Sequence, residues 1–149
     1  MTATNHALTG AIVGLSIHQP AIAVPVAFLS HYILDGIPHF DGVISQKSRA
    51  FKLYLLTEAL ICFGLVLWLK ASKVEYWWLG ALCAFVAASP DFMWIKGYIA
   101  VQRGLKVPKP RNILVKLHDK VQWFARPIGG IVEIIWLLCA IWILALIAK

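Results

Sequence analysis

The segment SHYILDGIPHFD, residues 30–41, concentrates two histidines and two aspartates in a chain that is otherwise mostly apolar. His31 and Asp35 are spaced i, i+4, so on a helix their side chains point the same way and could hold one cation. The pair offers a neutral nitrogen and an anionic oxygen, which are ligands that zinc accepts. A glycine and a proline then end the helix, and we expect the turn to return His39 and Asp41 near the same point. Asp41 fits equally well as a turn residue or helix N-cap.

Three titratable residues elsewhere could join this segment: His6 in HALTG, Asp91 in ASPDF and His118 in LHDKV. A carboxylate near the end of an apolar segment is costly unless it is paired or ligating, which makes Asp91 a site residue by hypothesis. A single histidine or aspartate at such a position more often makes a structural hydrogen bond than binds a metal ion. The prediction therefore depends on all of these residues together. The predicted metal ligands are His6, His31, Asp35, His39, Asp91 and His118.

Two acids are candidates for a catalytic base. Asp91 could act from the predicted metal site, and Glu133, in GGIVEIIW, is the other catalytic candidate. Glu58 lies in the middle of an apolar segment and is expected to pair with another helix or another protomer. The three cysteines lie inside apolar segments without CxxC spacing, so they are predicted to be small buried side chains and not zinc ligands.

The elements that must position these residues are membrane helices. The chain has 149 residues, of which 60% are hydrophobic and 14% charged, and its mean hydropathy is +0.76. Soluble domains carry roughly 25% charged residues. Residues 51–69, 76–95 and 128–148 each approach the ~20 apolar residues that a spanning helix needs. We therefore predict one all-α, multi-pass membrane domain over residues 1–149.

A broken helical segment precedes the three predicted spans. The run from Ala7 to Leu34 is interrupted by His18-Gln19-Pro20, where proline removes a backbone donor and clashes with the preceding turn. Two helices of about 11 and 14 residues, roughly 17 and 21 Å long, would each be too short to cross a bilayer. A re-entrant hairpin is the prediction, and one kinked, strongly tilted crossing is the alternative. Only the hairpin brings His6 to His31.

Basic residues predict which membrane face carries the site. Most of the 14 lysines and arginines lie in residues 41–52 and 96–126, which the positive-inside rule makes cytoplasmic. This topology accounts for the net charge of +7 without nucleic acid as a partner. Residues 112–124 form an amphipathic pattern, with Ile113, Leu117, Val121 and Phe124 on one face, that suits a helix on an anionic leaflet. His118 on this helix could reach the hairpin.

Small residues repeat every four positions along three predicted helices, a spacing that lets membrane helices approach closely. Each stripe leads to a potential ligand: one begins at His6, one ends at Asp35 and one ends at Asp91. The stripes consist of His6, Gly10 and Gly14; of Ala23, Ala27, His31 and Asp35; and of Gly80, Ala84, Ala87, Ala88 and Asp91. We therefore expect the three helices to meet at the metal site.

The runs HALTGAIVGL, SHYILDGIPHFD, ASPDF and LHDKVQW resemble the small inner-membrane metal-dependent hydrolases, often labelled LexA-binding inner-membrane-associated hydrolase-like. That family is distantly similar to the zinc-dependent phospholipase C and P1 nuclease group, in which histidines and aspartates on helices hold zinc. The resemblance extends from His6 to about Glu133. It implies a hydrolase of the cytoplasmic membrane with a divalent metal cofactor, zinc above others, and matches the ligand motifs at His6, His31, Asp35, His39, Asp91 and His118.

The expected function is metal-dependent hydrolysis of a phosphoester or a lipid headgroup at the cytoplasmic face. The lipid bilayer is the expected partner, and an anionic lipid is a candidate substrate. A non-enzymatic membrane module, in which the His/Asp cluster is a structural polar network or metal clasp, is the alternative from another class. An ion transporter is a third hypothesis, since broken helices and buried acids suit ion paths. A bundle this small would then need to form a homo-oligomer.

Overall fold

A computed structural model describes residues 1–40, 44–107, 112–122 and 126–148, and within these ranges the protein is built from helices without β-strands. Proline, serine, threonine and asparagine start several of these helices, as their capping preferences lead one to expect. The helices are α1 (Ala3–Ser16), α2 (Pro20–Asp35), α3 (Arg49–Ala71), α4 (Trp77–Ala88), α5 (Ile95–Gln102), α6 (Ile113–Val121) and α7 (Gly129–Ile147), with a 3₁₀ segment (Ser89–Trp94) between α4 and α5.

Three helical stretches are long and apolar enough to cross a membrane: Arg49–Ala71, Trp77–Gln102 and Gly129–Ile147. They coincide with the three predicted spans. The second is not one continuous α-helix, because the 3₁₀ segment between α4 and α5 carries Pro90 and Asp91. Proline there cannot donate the hydrogen bond that an α-helix would require, so the backbone tightens at that point.

The two N-terminal helices form the predicted hairpin. They are longer than the sequence indicated, with 14 and 16 residues, because Thr2 caps α1 one turn earlier and accepts a hydrogen bond from the Asn5 N–H. Pro25 lies inside α2 and does not end it. The rings of His6 and His31 stack with centroids 3.9 Å apart, so the start of α1 lies beside the end of α2.

Helix α1 is the centre of the bundle and packs against α2, α3, α4 and α7. Its closest approach is to α4, where Gly10 faces the Cys83 backbone and Gly14 faces the Leu79 and Gly80 backbone. A β-carbon on either glycine would overlap these atoms. The small residues of α2 and α4 form a fully buried core together, which includes Ala23, Ala27, Cys83 and Ala87. The predicted stripes therefore face one another and set the helix spacing at the site.

Two predicted features fall partly or wholly outside the described ranges. The amphipathic helix is present as α6, and Phe124 of its predicted apolar face lies outside the described residues. Asp41, the last residue of the opening segment, lies outside them as well.

Candidate metal centre

Four side chains from three elements converge at one end of the bundle. His31 and Asp35 come from the end of α2, Asp91 from the 3₁₀ segment and His118 from α6. One ligand atom from each lies within 4.8 Å of all the others, so the group could hold a metal ion. These are four of the six predicted ligands.

The spacing of the four donors fits a small cation. His31 Nε2 lies 3.2 Å from Asp35 Oδ2 and 3.8 Å from Asp91 Oδ1, and His118 Nε2 lies 3.5 Å from both of these oxygens. At zinc–ligand distances of about 2.0–2.2 Å, the corners of a tetrahedron are about 3.3–3.6 Å apart. A metal ion bound among these atoms would therefore require only small side-chain movements.

Two of these atoms are buried without a hydrogen-bond partner among the described residues, namely His31 Nε2 and Asp35 Oδ2. Buried polar atoms are nearly always satisfied, and an ion is one of the groups that can satisfy them. The side chains of both residues are 0% exposed. A cation at the centre of the group would meet the bonding requirement of both atoms at once.

The orientation of His31 is set by helix α4. Its Nδ1–H donates to the Ala87 carbonyl at 2.8 Å, because the small-residue stripes bring α2 and α4 close together. A proton on Nδ1 leaves the lone pair of Nε2 pointing toward the carboxylates. Metal-binding histidines usually have such a backbone or carboxylate partner on the second nitrogen.

Asp35 uses its two oxygens differently. Oδ2 faces His31 and His118, whereas Oδ1 accepts from His6 Nε2 at 3.1 Å and lies 2.5 Å from the Met1 amino group. His6 is fully buried and contacts the group through Asp35, with its ring stacked on His31. In this geometry His6 orients the Asp35 carboxylate and does not contribute a fifth donor to the group.

His118 reaches the group from α6 and is 4% exposed. Burial favours its neutral form, but the hydrogen bond to Asp91 and the charges of Asp91 and Asp35 outweigh burial and raise the pKa of His118. Protons therefore compete with a metal ion for this ring more strongly than they do for an unperturbed imidazole. Gln122, one turn further along α6, places its Nε2 3.4 Å from His118 Nε2.

Gln122 and Tyr32 were not among the sequence candidates. The Tyr32 ring packs edge-on against His31 and His118, with centroids 5.4 and 6.4 Å away. The i, i+4 spacing of His118 and Gln122 could have predicted that the Gln122 side chain lies beside His118. Nothing in the sequence distinguished Tyr32 from an ordinary apolar helix residue.

His39 is fully buried outside the group of four donors. Its Nδ1–H donates to the Ile37 carbonyl at 2.9 Å, and its own carbonyl accepts from the Arg126 N–H at 2.9 Å. Its backbone also packs directly on Gly129, where a β-carbon would overlap it. The residue thus ties the turn after α2 to the start of α7.

The two acids of the spans hold the start of α1. Glu133 accepts from the backbone N–H groups of Thr2 at 3.3 Å and Phe40 at 3.1 Å, and Glu58 accepts from the Thr4 N–H at 2.7 Å. These N–H groups belong to a helix N-terminus and a turn, where carboxylates are favourable partners. Glu133 lies outside the group of four donors.

We expect Glu133→Gln to lower the free energy of unfolding and to leave the metal-binding capacity of the four donors unchanged. The amide cannot accept from both backbone N–H groups as the carboxylate does, and a buried unsatisfied donor costs about 1–3 kcal/mol. Unfolding in detergent and zinc content per chain would be measured beside Glu75→Gln, an exposed acid at the turn before α4. Wild-type stability with loss of hydrolytic activity would instead support Glu133 as the catalytic base.

Comparisons of the chain with protein-family models, with curated proteins and with solved structures found no match.

Proposed function

We propose that this protein is a membrane-bound hydrolase that depends on a divalent metal ion held by His31, Asp35, Asp91 and His118. The observation that carries the proposal is the convergence of these four donors within 4.8 Å, with nitrogen–oxygen separations of 3.2–3.8 Å. Two neutral nitrogens and two carboxylates suit zinc, which is the metal we expect. The resemblance of the sequence motifs to inner-membrane metal-dependent hydrolases supports the same conclusion.

A phosphoester is the substrate class that best suits this site. The metal ion would supply water activation and polarisation of a phosphoryl oxygen. Asp91 is the candidate general base: Oδ1 faces the other donors and would bind the metal ion, which would leave Oδ2 to accept the proton, and its side chain is the most exposed of the four at 19%. Exposed lysines near the site, such as Lys116 and Lys120, would attract an anionic substrate.

We place the site at the cytoplasmic face of the inner membrane. The ends of α2 and α4 and the start of α7 meet there, and the described lysines and arginines of residues 44–52, 96–107 and 112–122, together with Arg126, belong to the same end of the bundle. Among the described residues, the other end carries two lysines, Lys70 and Lys73. Helices α1 and α2, about 21 and 24 Å long, would enter the bilayer and return without crossing it.

A structural metal site is the second candidate, favoured by the complete burial of His31 and Asp35. Structural zinc sites are closed, whereas catalytic sites keep one position for water or substrate. A catalytic site with these four donors requires a fifth coordination position for water, and the 19% exposure of the Asp91 side chain marks the side from which water would reach it. Turnover of a substrate separates the two functions, because both require the metal.

The test is metal analysis combined with a phosphodiesterase assay on the protein in detergent. We expect about one zinc per chain, loss of bis(4-nitrophenyl) phosphate hydrolysis after chelation, and recovery when zinc is added back. His118→Gln should bind zinc at least 10-fold more weakly, because it removes one of four ligands. His18→Gln is the matched control, since His18 stacks on Tyr76 at the far end of the hairpin.

Metal-free wild-type protein that cannot be loaded with zinc would overturn the proposal. Tight zinc binding without hydrolysis of any phosphoester tested would favour the structural site.

A further inference from the structure

Helix α6 has two chemically distinct sides. His118 points into the bundle and is 4% exposed, whereas Ile113 is 79% exposed, Leu117 44% and Leu114 36%. At 100° per residue, these three apolar side chains form one continuous arc, and His118 lies just beyond its edge. A ligand of the proposed metal site is therefore carried by a helix whose apolar surface faces away from the protein.

The other edge of the exposed apolar arc is basic. Lys116 and Lys120 are one turn apart and both exposed. An amphipathic helix with lysines beside its apolar face matches a bilayer surface that contains anionic lipid. The helix is also at the membrane end of the molecule, because the third candidate span begins at Gly129, shortly after α6 ends.

The protein itself gives α6 little support. The helix has nine residues, and its main packing partner is α2. Isolated helices shorter than about 12–15 residues are only marginally stable in water, and packing of an apolar face normally stabilises them. Within the described residues the apolar arc of α6 is not covered by protein, so lipid contact would supply the missing stabilisation.

We infer that α6 is a lipid-sensing arm: its docking on an anionic leaflet holds His118 in the metal site, so that metal affinity depends on the lipid surface. The inference rests on the proposed metal site and adds its regulation. Lipid that binds the docked arm increases the fraction of molecules in which His118 lies beside His31, Asp35 and Asp91. By linkage, metal binding at His118 strengthens docking by the same factor.

The experiment measures zinc affinity in nanodiscs of phosphatidylcholine alone and of phosphatidylcholine with an equal amount of phosphatidylglycerol. We expect at least about 5-fold tighter zinc binding with the anionic lipid, at the lower end of typical coupling between sites. Amide hydrogen exchange of residues 112–122 should slow in the same discs, which reports helix docking directly.

Anionic lipid also attracts zinc ions whether or not α6 docks. Two double variants distinguish this general attraction from the effect of docking. Lys116→Gln/Lys120→Gln should lose the lipid dependence. Lys70→Gln/Lys73→Gln removes the same charge at the end of α3 and the turn after it, and should keep the lipid dependence. Equal zinc affinity in both lipids, or the same lipid dependence in both double variants, would overturn the inference alone. Absence of zinc binding in either lipid would overturn the proposed function and the inference together.

Discussion

Asp35→Asn is expected to abolish zinc binding at micromolar zinc and, with it, the proposed hydrolytic activity. Asp35 is fully buried and contacts His6, His31 and His118, so it joins α1, α2 and α6. The amide is neutral and replaces one carboxylate oxygen with an NH2 group, which can neither bind the metal ion nor accept the hydrogen bond from His6. Loss of a partner outside the ligand shell typically weakens metal binding 10- to 100-fold, and loss of an anionic ligand should exceed about 100-fold.

The measurement is a zinc titration against a competing chelator, with thermal unfolding in detergent recorded for each protein. Glu75→Gln removes one negative charge from an exposed position between α3 and α4 and should keep wild-type affinity. Added zinc should raise the midpoint of unfolding for the wild type and for Glu75→Gln but not for Asp35→Asn, since a ligand stabilises the state that binds it. Wild-type zinc affinity in Asp35→Asn would rule out the proposed ligand set.

Much of the architecture could be predicted from local pattern. Apolar runs of about 20 residues marked the three candidate spans, and the His18-Gln19-Pro20 interruption marked the hairpin. His31 and Asp35 share a helix face by spacing alone. Asp91 could be singled out because a carboxylate in an apolar segment needs a partner.

The roles within the site depend on tertiary contacts that a single sequence does not encode locally. His6 and His118 carry the same chemistry, yet His118 Nε2 faces both carboxylates while His6 is bonded to the far oxygen of Asp35. That difference depends on how closely α1 and α4 pack and on where α6 lies. Glu133 likewise has the chemistry of a base. Its carboxylate, however, accepts hydrogen bonds from the Thr2 and Phe40 N–H groups and so holds the backbone in place.

Gly10→Ala is expected to destabilise the protein and to weaken zinc binding, although it adds a single methyl group far from any ligand in sequence. The new β-carbon would overlap the Cys83 carbonyl and lie 2.7 Å from the Ala87 β-carbon, so α1 and α4 would have to separate. Overpacking of this kind typically costs about 1–3 kcal/mol, and backbone on the opposing side leaves no side chain to move aside. The Ala87 carbonyl orients His31, so separation of the helices also disturbs the metal site.

Gly64→Ala provides the matched control, because a β-carbon at Gly64 of α3 meets no atom within 4 Å. Alanine is the better helix former, by about 0.5–1 kcal/mol in a helix interior, so this variant should be at least as stable as the wild type. Unfolding midpoints and zinc affinities of the two variants would be compared in the same detergent. A Gly10→Ala protein as stable as Gly64→Ala would mean that α1 and α4 are not in direct backbone contact, and the hairpin could then not deliver His31 to Asp91 as the structure has it.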